Sequence, residues 1–195
     1  EKLDFDDEAQ KIFATLNPNK GGVGRYNPLD PVWKHPKTGA TIYVGNVEAA
    51  NNLAILKDKG ITHVVNCTDN MPFYHSRTGE ITYHRFDIAS WWQHVRDEDS
   101  AIRFTTPMLE FVGDAISNGK SVLVHCLAGA HRAGTTGCML LMHFGGLDTR
   151  SAIHLAKRLR PIIDPIGTLP ELLKKVEQAN QRDPPKNRFK SAHFE

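Results

Sequence analysis

Cys126 is the residue in this chain whose neighbours equip it for chemistry. It follows His125 and opens the run Cys-Leu-Ala-Gly-Ala-His-Arg, so five residues separate it from Arg132. Val122, Leu123 and Val124, just before it, are β-formers and read as a buried strand. From Ala133 the pattern changes. Cys138, Met139, Leu140, Leu141 and Met142 continue as an apolar helix that stops at Gly145 and Gly146. Gly129 and Gly134 let the backbone between strand and helix curl tightly. A loop that feeds a helix N-terminus aims backbone N–H groups inward, and the helix dipole adds positive potential there. Together they cradle a tetrahedral oxyanion. A cysteine at the lip of such a cradle is favoured as a thiolate. An arginine that closes it offers a planar fork matched to two phosphate oxygens. Nucleophile, cradle and clamp together describe phosphoryl transfer to cysteine.

The elements that must position this loop follow from periodicity. Residues 41–45 form a strand ended by a glycine. Residues 46–59 read as one helix, with Ala49, Ala50, Leu53, Leu56 and Lys57 in helical period and Gly60 at its end. Residues 61–67 form the next strand, and two strands joined by a helix imply a parallel sheet. Residues 68–80 are a loop, 81–88 a strand, and 89–99 a second loop. A helix spans 100–118 with Asp99 as its N-cap. Helices over 147–159, capped by Asp148 or Thr149, and over 168–178 complete the domain. The fold class is α/β: a central, mostly parallel sheet flanked by helices, with the site at the C-terminal end of the 121–125 strand.

Residues 1–40 are a polar extension packed on the domain. Residues 7–16 suit a short amphipathic helix with Ile12, Phe13 and Leu16 on one face. Residues 17–24 read as a loop. Residues 27–36, with three prolines and Trp33, suit an extended packing arm. The domain itself covers 41–180, and 181–195 is a polar tail. A net charge of +2 is too small to argue for nucleic acid or a membrane surface, and no apolar run is long enough to span a bilayer. Three cysteines argue against a disulfide scaffold and for a reducing, intracellular setting, cytoplasmic or nuclear. No signal peptide is visible, but the chain opens at Glu1, so a natural N-terminus with a targeting signal can lie upstream. Nothing has zinc-ligand spacing, so neither a metal nor another cofactor is expected. The sequence does not fix an oligomeric state.

His125-Cys126-Leu127-Ala128-Gly129-x-x-Arg132-x-Gly134, set between strand and helix, resembles the signature of the cysteine-dependent protein tyrosine phosphatases. The chain over residues 41–178 is most similar to their dual-specificity branch. The resemblance implies Cys126 as nucleophile. It implies Arg132 and the N–H groups of Leu127, Ala128, Gly129, Ala130 and His131 as phosphate ligands, and His125 as a support of the cysteine. The substrate it implies is a phosphoprotein carrying phosphotyrosine, and phosphoserine or phosphothreonine as well.

Relatives also place an aspartate on a loop upstream of the cysteine, to protonate the leaving group and then activate water. Alignment through Phe86, Asp87 and Ile88 puts that position near Ser90, whereas counting back from Cys126 gives His94 to Asp97. Asp97 is the best carboxylate by distance, with Asp87 next and His94 a third donor. After the arginine, relatives carry a serine or threonine that stabilises the departing thiolate. Here stands Ala133, with Thr135 and Thr136 further on. His131 is basic, but Leu127 and Ala130 occupy positions where inositol-directed relatives carry lysine, which favours a phosphoprotein. Cys67, at the end of a neighbouring strand, is placed to trap oxidised Cys126 as a disulfide. Its other reading is an ordinary buried cysteine. Trp91 and Trp92 either wall the pocket or pin the loop. The competing functions are a phospho-binding module without turnover and a lipid, inositol or glucan phosphatase of the same mechanism.

Overall fold

Val122, Leu123 and Val124 have no solvent exposure and sit in β5 (Ser121–His125). A strand apolar on both faces must lie at the centre of a covered sheet. The computed structural model, which describes residues 3–16 and 26–188, places it there. Five strands run in the order β1-β2-β5-β3-β4: β1 (Leu29–Lys34), β2 (Thr41–Gly45), β3 (Ile61–Asn66) and β4 (Thr82–Arg85) complete the sheet. β5 is parallel to β2 and β3, and β3 to β4, while β1 is antiparallel to β2.

Alternation along β5 builds two cores. Leu123 points to the face covered by α2 (Val47–Asn51) and α3 (Leu53–Asp58), where it packs with Ala49, Ala50, Leu56 and Val64. Val122 and Val124 point to the other face. That face carries α4 (Glu98–Ser117), α5 (Arg132–Gly145), α6 (Thr149–Leu159) and α7 (Leu169–Arg182). α5 is buried nearly all round and ends at Gly146, whose φ of 68° supplies the left-handed cap. No helix among the described residues is long and apolar enough to cross a membrane.

Several expectations change. The helix expected over 46–59 is two helices. Asn52, at φ −105° and ψ 98°, leaves helical geometry and accepts from the Ala54 and Ile55 N–H groups at 3.0 and 3.3 Å. An asparagine in mid-helix competes with the backbone in this way and restarts the helix as an N-cap. The strand expected over 81–88 keeps only Thr82–Arg85, and Ile88–Gln93 forms a 3₁₀ turn. α4 begins two residues early. Its cap is Asp97 rather than Asp99, because Ser100 completes a reciprocal capping box with Asp97. The arm expected over 27–36 is an edge strand rather than a surface segment, with Val32 and Trp33 buried. It carries a bulge between Pro31 and Trp33, where an edge tolerates proline. Asp148 caps α6, accepting from the Ser151 N–H at 2.7 Å. α1 (Phe5–Thr15) starts at an Asp4 cap. The loop expected over 17–24 and the end of the tail, 189–195, lie outside the described residues.

Candidate active site

The shape of the loop after β5 is decided by where its carbonyls go. The Leu127 carbonyl accepts from the Val47 N–H and the Ala130 carbonyl from the Asp164 N–H, each at 3.0 Å. The Ala128 carbonyl takes the Tyr26 hydroxyl at 2.9 Å and Arg160 Nη2 at 3.3 Å. The Gly129 carbonyl takes Arg160 Nε at 2.9 Å. All four are drawn to the outside of the loop. A trans peptide sets its N–H opposite its C=O, so the N–H groups of Ala128, Gly129, Ala130 and His131 face the inside. Gly129 makes the turn at φ 66°. A Cβ there would stand 2.4 Å from the Gly45 carbonyl oxygen and 2.8 Å from Arg160 Nη2, so only glycine fits. α5 is pressed against β2 in the same way, for a Cβ at Gly137 would come within 2.7 Å of Val44 Cγ2.

Arg132 opens α5 and closes the loop, 4% exposed. Its Nη2 pairs with the Asp6 carboxylate, and its ring-side contact is Phe5, 5.7 Å from the guanidinium carbon. Its Nε is buried with no partner among the described residues, as is Nε2 of His131, whose Nδ1 is bonded to the Asp164 carbonyl at 2.7 Å. Cys126 is buried at the end of β5. Burial holds the His125 imidazole down at about 4, a hydrogen bond with the Cys126 backbone offsetting part of the effect. His125 is therefore neutral near pH 7, and Arg132 is the fixed cation beside the cysteine.

The remaining candidates fall in different places. Asp97 is exposed and committed to α4. Ser100 donates to it from side chain and backbone, at 2.6 and 2.9 Å, and these bonds hold its carboxyl below the usual carboxylate range. A carboxylate kept ionised in this way is a poor proton donor at neutral pH, so the expectation based on spacing meets a competing structural task. Asp99 is exposed and paired with Arg182. His94 is exposed and stacked on Phe104. Asp87 is half-buried in a cleft with Ser90, His94 and Arg103. It lies near enough to Cys67 for its charge to add to the upward push that burial gives that thiol.

Thr135 and Thr136 donate back to the His131 and Arg132 carbonyls at 2.7 and 3.0 Å, and Ala133 is fully buried. Cys67 directs its thiol to Thr136 Oγ1 at 3.4 Å. Asn66 and His125 are partners across β3 and β5, so Cys67 and Cys126 are the next residues along adjacent strands. Cys138 lies in the α5 core, its thiol pushed up to about 12 by burial. Trp91 pins its loop, bonding to Thr168 Oγ1 at 3.1 Å, while Trp92 is exposed.

Two contributors escaped the sequence reading. Arg160 is 1% exposed. Besides the two loop carbonyls it binds the Asn27 carbonyl at 2.9 Å and Asp30 Oδ2 at 2.7 Å. An arginine next to Pro161 in a polar stretch gives no periodic signal of burial. Asp6 stands among four acids at the start of α1 and was legible only as part of a polar lead-in.

The family model for the dual specificity phosphatase catalytic domain matches residues 42–179. Human dual specificity protein phosphatase 9 is 32% identical over 124 residues, 64% of this chain and 31% of that protein. An Arabidopsis thaliana protein, dual specificity protein phosphatase 1, is 25% identical over 140 residues, 72% of this chain and 67% of its own length. Among solved structures, a mouse putative dual specificity phosphatase complexed with zinc tungstate aligns with a TM-score of 0.64 at 25% identity. That alignment covers 83% of this chain and 94% of the mouse chain. Human DUSP28 aligns with the same TM-score at 24% identity, over 80% of this chain and 97% of its own. With its family model matched from β2 through the loop to α7, the chain belongs to the dual specificity phosphatase catalytic-domain family.

Proposed function

We propose that this domain hydrolyses phosphomonoesters of phosphoproteins, phosphotyrosine foremost and phosphoserine or phosphothreonine as well, through a phospho-cysteine on Cys126. One observation carries the reading. The inner face of the 127–132 loop holds a row of N–H groups and a buried arginine with an unpartnered Nε, all beside a cysteine at a helix N-terminus. Such a row stabilises charge spread over three equatorial phosphoryl oxygens.

In the first step the Cys126 sulfur attacks phosphorus, the bond to the leaving oxygen breaks, and that oxygen takes a proton from a carboxylic acid. In the second, water attacks phosphorus, the P–S bond breaks, and the carboxylate takes the water's proton. We assign the proton to Asp87 rather than Asp97. Asp87 lies near enough to act electrostatically on Cys67, the residue beside Cys126 at the paired strand ends, whereas Asp97 is tied into the α4 cap. Ala133 places no hydroxyl at the position that would steady the departing thiolate, and Thr135 is turned to the His131 carbonyl. Breakdown of the intermediate is then slower than its formation. Cys67 is assigned as resolving thiol: sulfenic acid on Cys126 condenses with the Cys67 thiol, forming S–S and releasing water.

These assignments separate in stopped-flow and pH-rate work. On phenyl phosphate, a poor leaving group, Asp87→Asn loses about 10²-fold in kcat/KM, which reports formation of the phospho-cysteine, and the basic-side limb of that profile, since a donor must be protonated to act. Asp97→Asn keeps that limb and instead lowers the melting temperature at neutral pH. Its stabilising contribution, from a carboxyl held low by Ser100, is present above the unfolded-state value and fades as pH falls through the native one. The opposite assignment of the limb would overturn ours. With p-nitrophenyl phosphate the wild type gives a burst followed by a slower steady rate, which Ala133→Ser reduces; linear release from the first turnover would contradict the Ala133 argument. After peroxide treatment, Cys67→Ser recovers less activity with reductant than wild type. Equal recovery would remove Cys67 from the redox role.

A further inference from the structure

The buried Arg132 has a partner supplied by the N-terminal helix of the same chain. Asp6, in the first turn of α1, forms an ion pair with Arg132, whose side chain is 5% exposed. The second Asp6 oxygen accepts from Asn70 Nδ2 at 3.3 Å. Two donors thus fix the carboxylate at the cation that closes the loop. The rest of α1 continues onto the same surface. Ala9, Ile12 and Phe13 follow Asp6 on one helical face, and Ala9 is 2% exposed against Ala128 and Ala130 of the loop itself. Ile12 and Phe13 complete that cluster with Leu127 and Ile162. Leu3 lies against Gly167, where an added Cβ would stand 2.8 Å from Leu3 Cδ2.

We propose that α1 is a built-in competitor for the phosphate site: the Asp6 carboxylate stands in for a phosphoryl group, and the helix must lift before a phosphorylated side chain reaches Cys126. The inference rests on the reading of Arg132 as phosphate ligand. Geometry supports displacement rather than permanent closure. The carboxylate engages Nη2 and leaves Arg132 Nε without a partner among the described residues, so it satisfies half of the guanidinium fork. A phosphoryl group offers oxygens to both nitrogens and to the inward N–H groups as well. Substrate therefore makes the better match once the helix is away. The helix is held by Ala9, Ile12, Phe13 and Phe5, by Leu3 just ahead of it, and by the bonds of Asp6 to Arg132 and Asn70. Of these side chains on α1 only Ala9 is fully buried, so lifting the helix exposes a small apolar area. Lifting it also bares an apolar apron of Leu127, Ala128, Ala130 and Ile162 beside the phosphate seat.

A competitor in cis multiplies the apparent affinity by the fraction of open molecules, which raises KM, and leaves the chemical step alone. Two full-length variants test this. Asp6→Asn removes the charge with little change of shape, and Ala9→Glu cannot be seated against Ala128 and Ala130. For p-nitrophenyl phosphate each is expected to lower KM about three- to tenfold at unchanged kcat. Alkylation of Cys126 by iodoacetamide, followed by mass spectrometry, should accelerate by a similar factor. Inorganic phosphate should protect the thiol at lower concentration than in wild type. Equal alkylation rates and equal KM values in all three proteins overturn the competitor while leaving the phosphatase reading intact. A fall in kcat on Asp6→Asn, with Ala9→Glu like wild type, overturns it in favour of Asp6 as proton donor. Faster alkylation and tighter phosphate protection without hydrolysis in any protein would uphold the competitor and remove the enzymatic reading.

Discussion

The carbonyl oxygens of Leu127, Ala128, Gly129 and Ala130 are held by donors from four separate parts of the chain: Val47 at the start of α2, Tyr26 ahead of β1, Arg160 at the end of α6 and Asp164 beyond it. A peptide cannot turn its carbonyl outward without turning its N–H the other way, so these bonds, made behind the site, create the anion seat in front of it. The sheet order brings the donors together. β5 lies between β2 and β3, so its C-terminal end is flanked by Gly45 and Cys67, and the bare Gly129 lets the loop turn against the Gly45 carbonyl. Arg160 is the costliest part of this scaffold. It is a fully buried cation whose desolvation is offset by Asp30 and three carbonyls, and removing it would take the charged partner from Asp30 and the Nε donor from the Gly129 carbonyl.

Electrostatics follow from the same burial. His125 is held neutral, and the thiols of Cys67 and Cys138 are pushed up by desolvation. That leaves Arg132 and the α5 N-terminus as the positive field around Cys126. In this structure the anion paired with Arg132 is the Asp6 carboxylate, and Cys126 and Arg132 are both buried.

Local patterns in the sequence carried the central strand, the loop and α5, because the chemistry of Cys126, Gly129 and Arg132 and the apolar runs around them are contiguous. The edge strand β1 was not legible. Pro31 and the surrounding prolines read as an extended arm, and its burial depends on β2 offering a free edge. The break at Asn52 and the cap at Asp97 were misread for a related reason. Two asparagines or two aspartates in reach of the same helix start are equivalent until side-chain geometry selects one. The proton donor stays divided between Asp87 and Asp97 on spacing alone, since a 3₁₀ turn now separates them where a plain loop was expected. Arg160 and Asp6 act through partners more than a hundred residues away in the case of Asp30 and Arg132, and no local pattern encodes such pairings.

The central claim is that phosphate passes through the sulfur of Cys126. Rapid acid quenching of the full chain during steady-state turnover of p-nitrophenyl phosphate, followed by peptide mass spectrometry, tests it directly. The expected result is one added phosphoryl mass on the peptide containing Cys126, at high occupancy because Ala133 slows its release, and none in Cys126→Ser. Sustained turnover with unmodified Cys126, or phosphate on another residue, would contradict it.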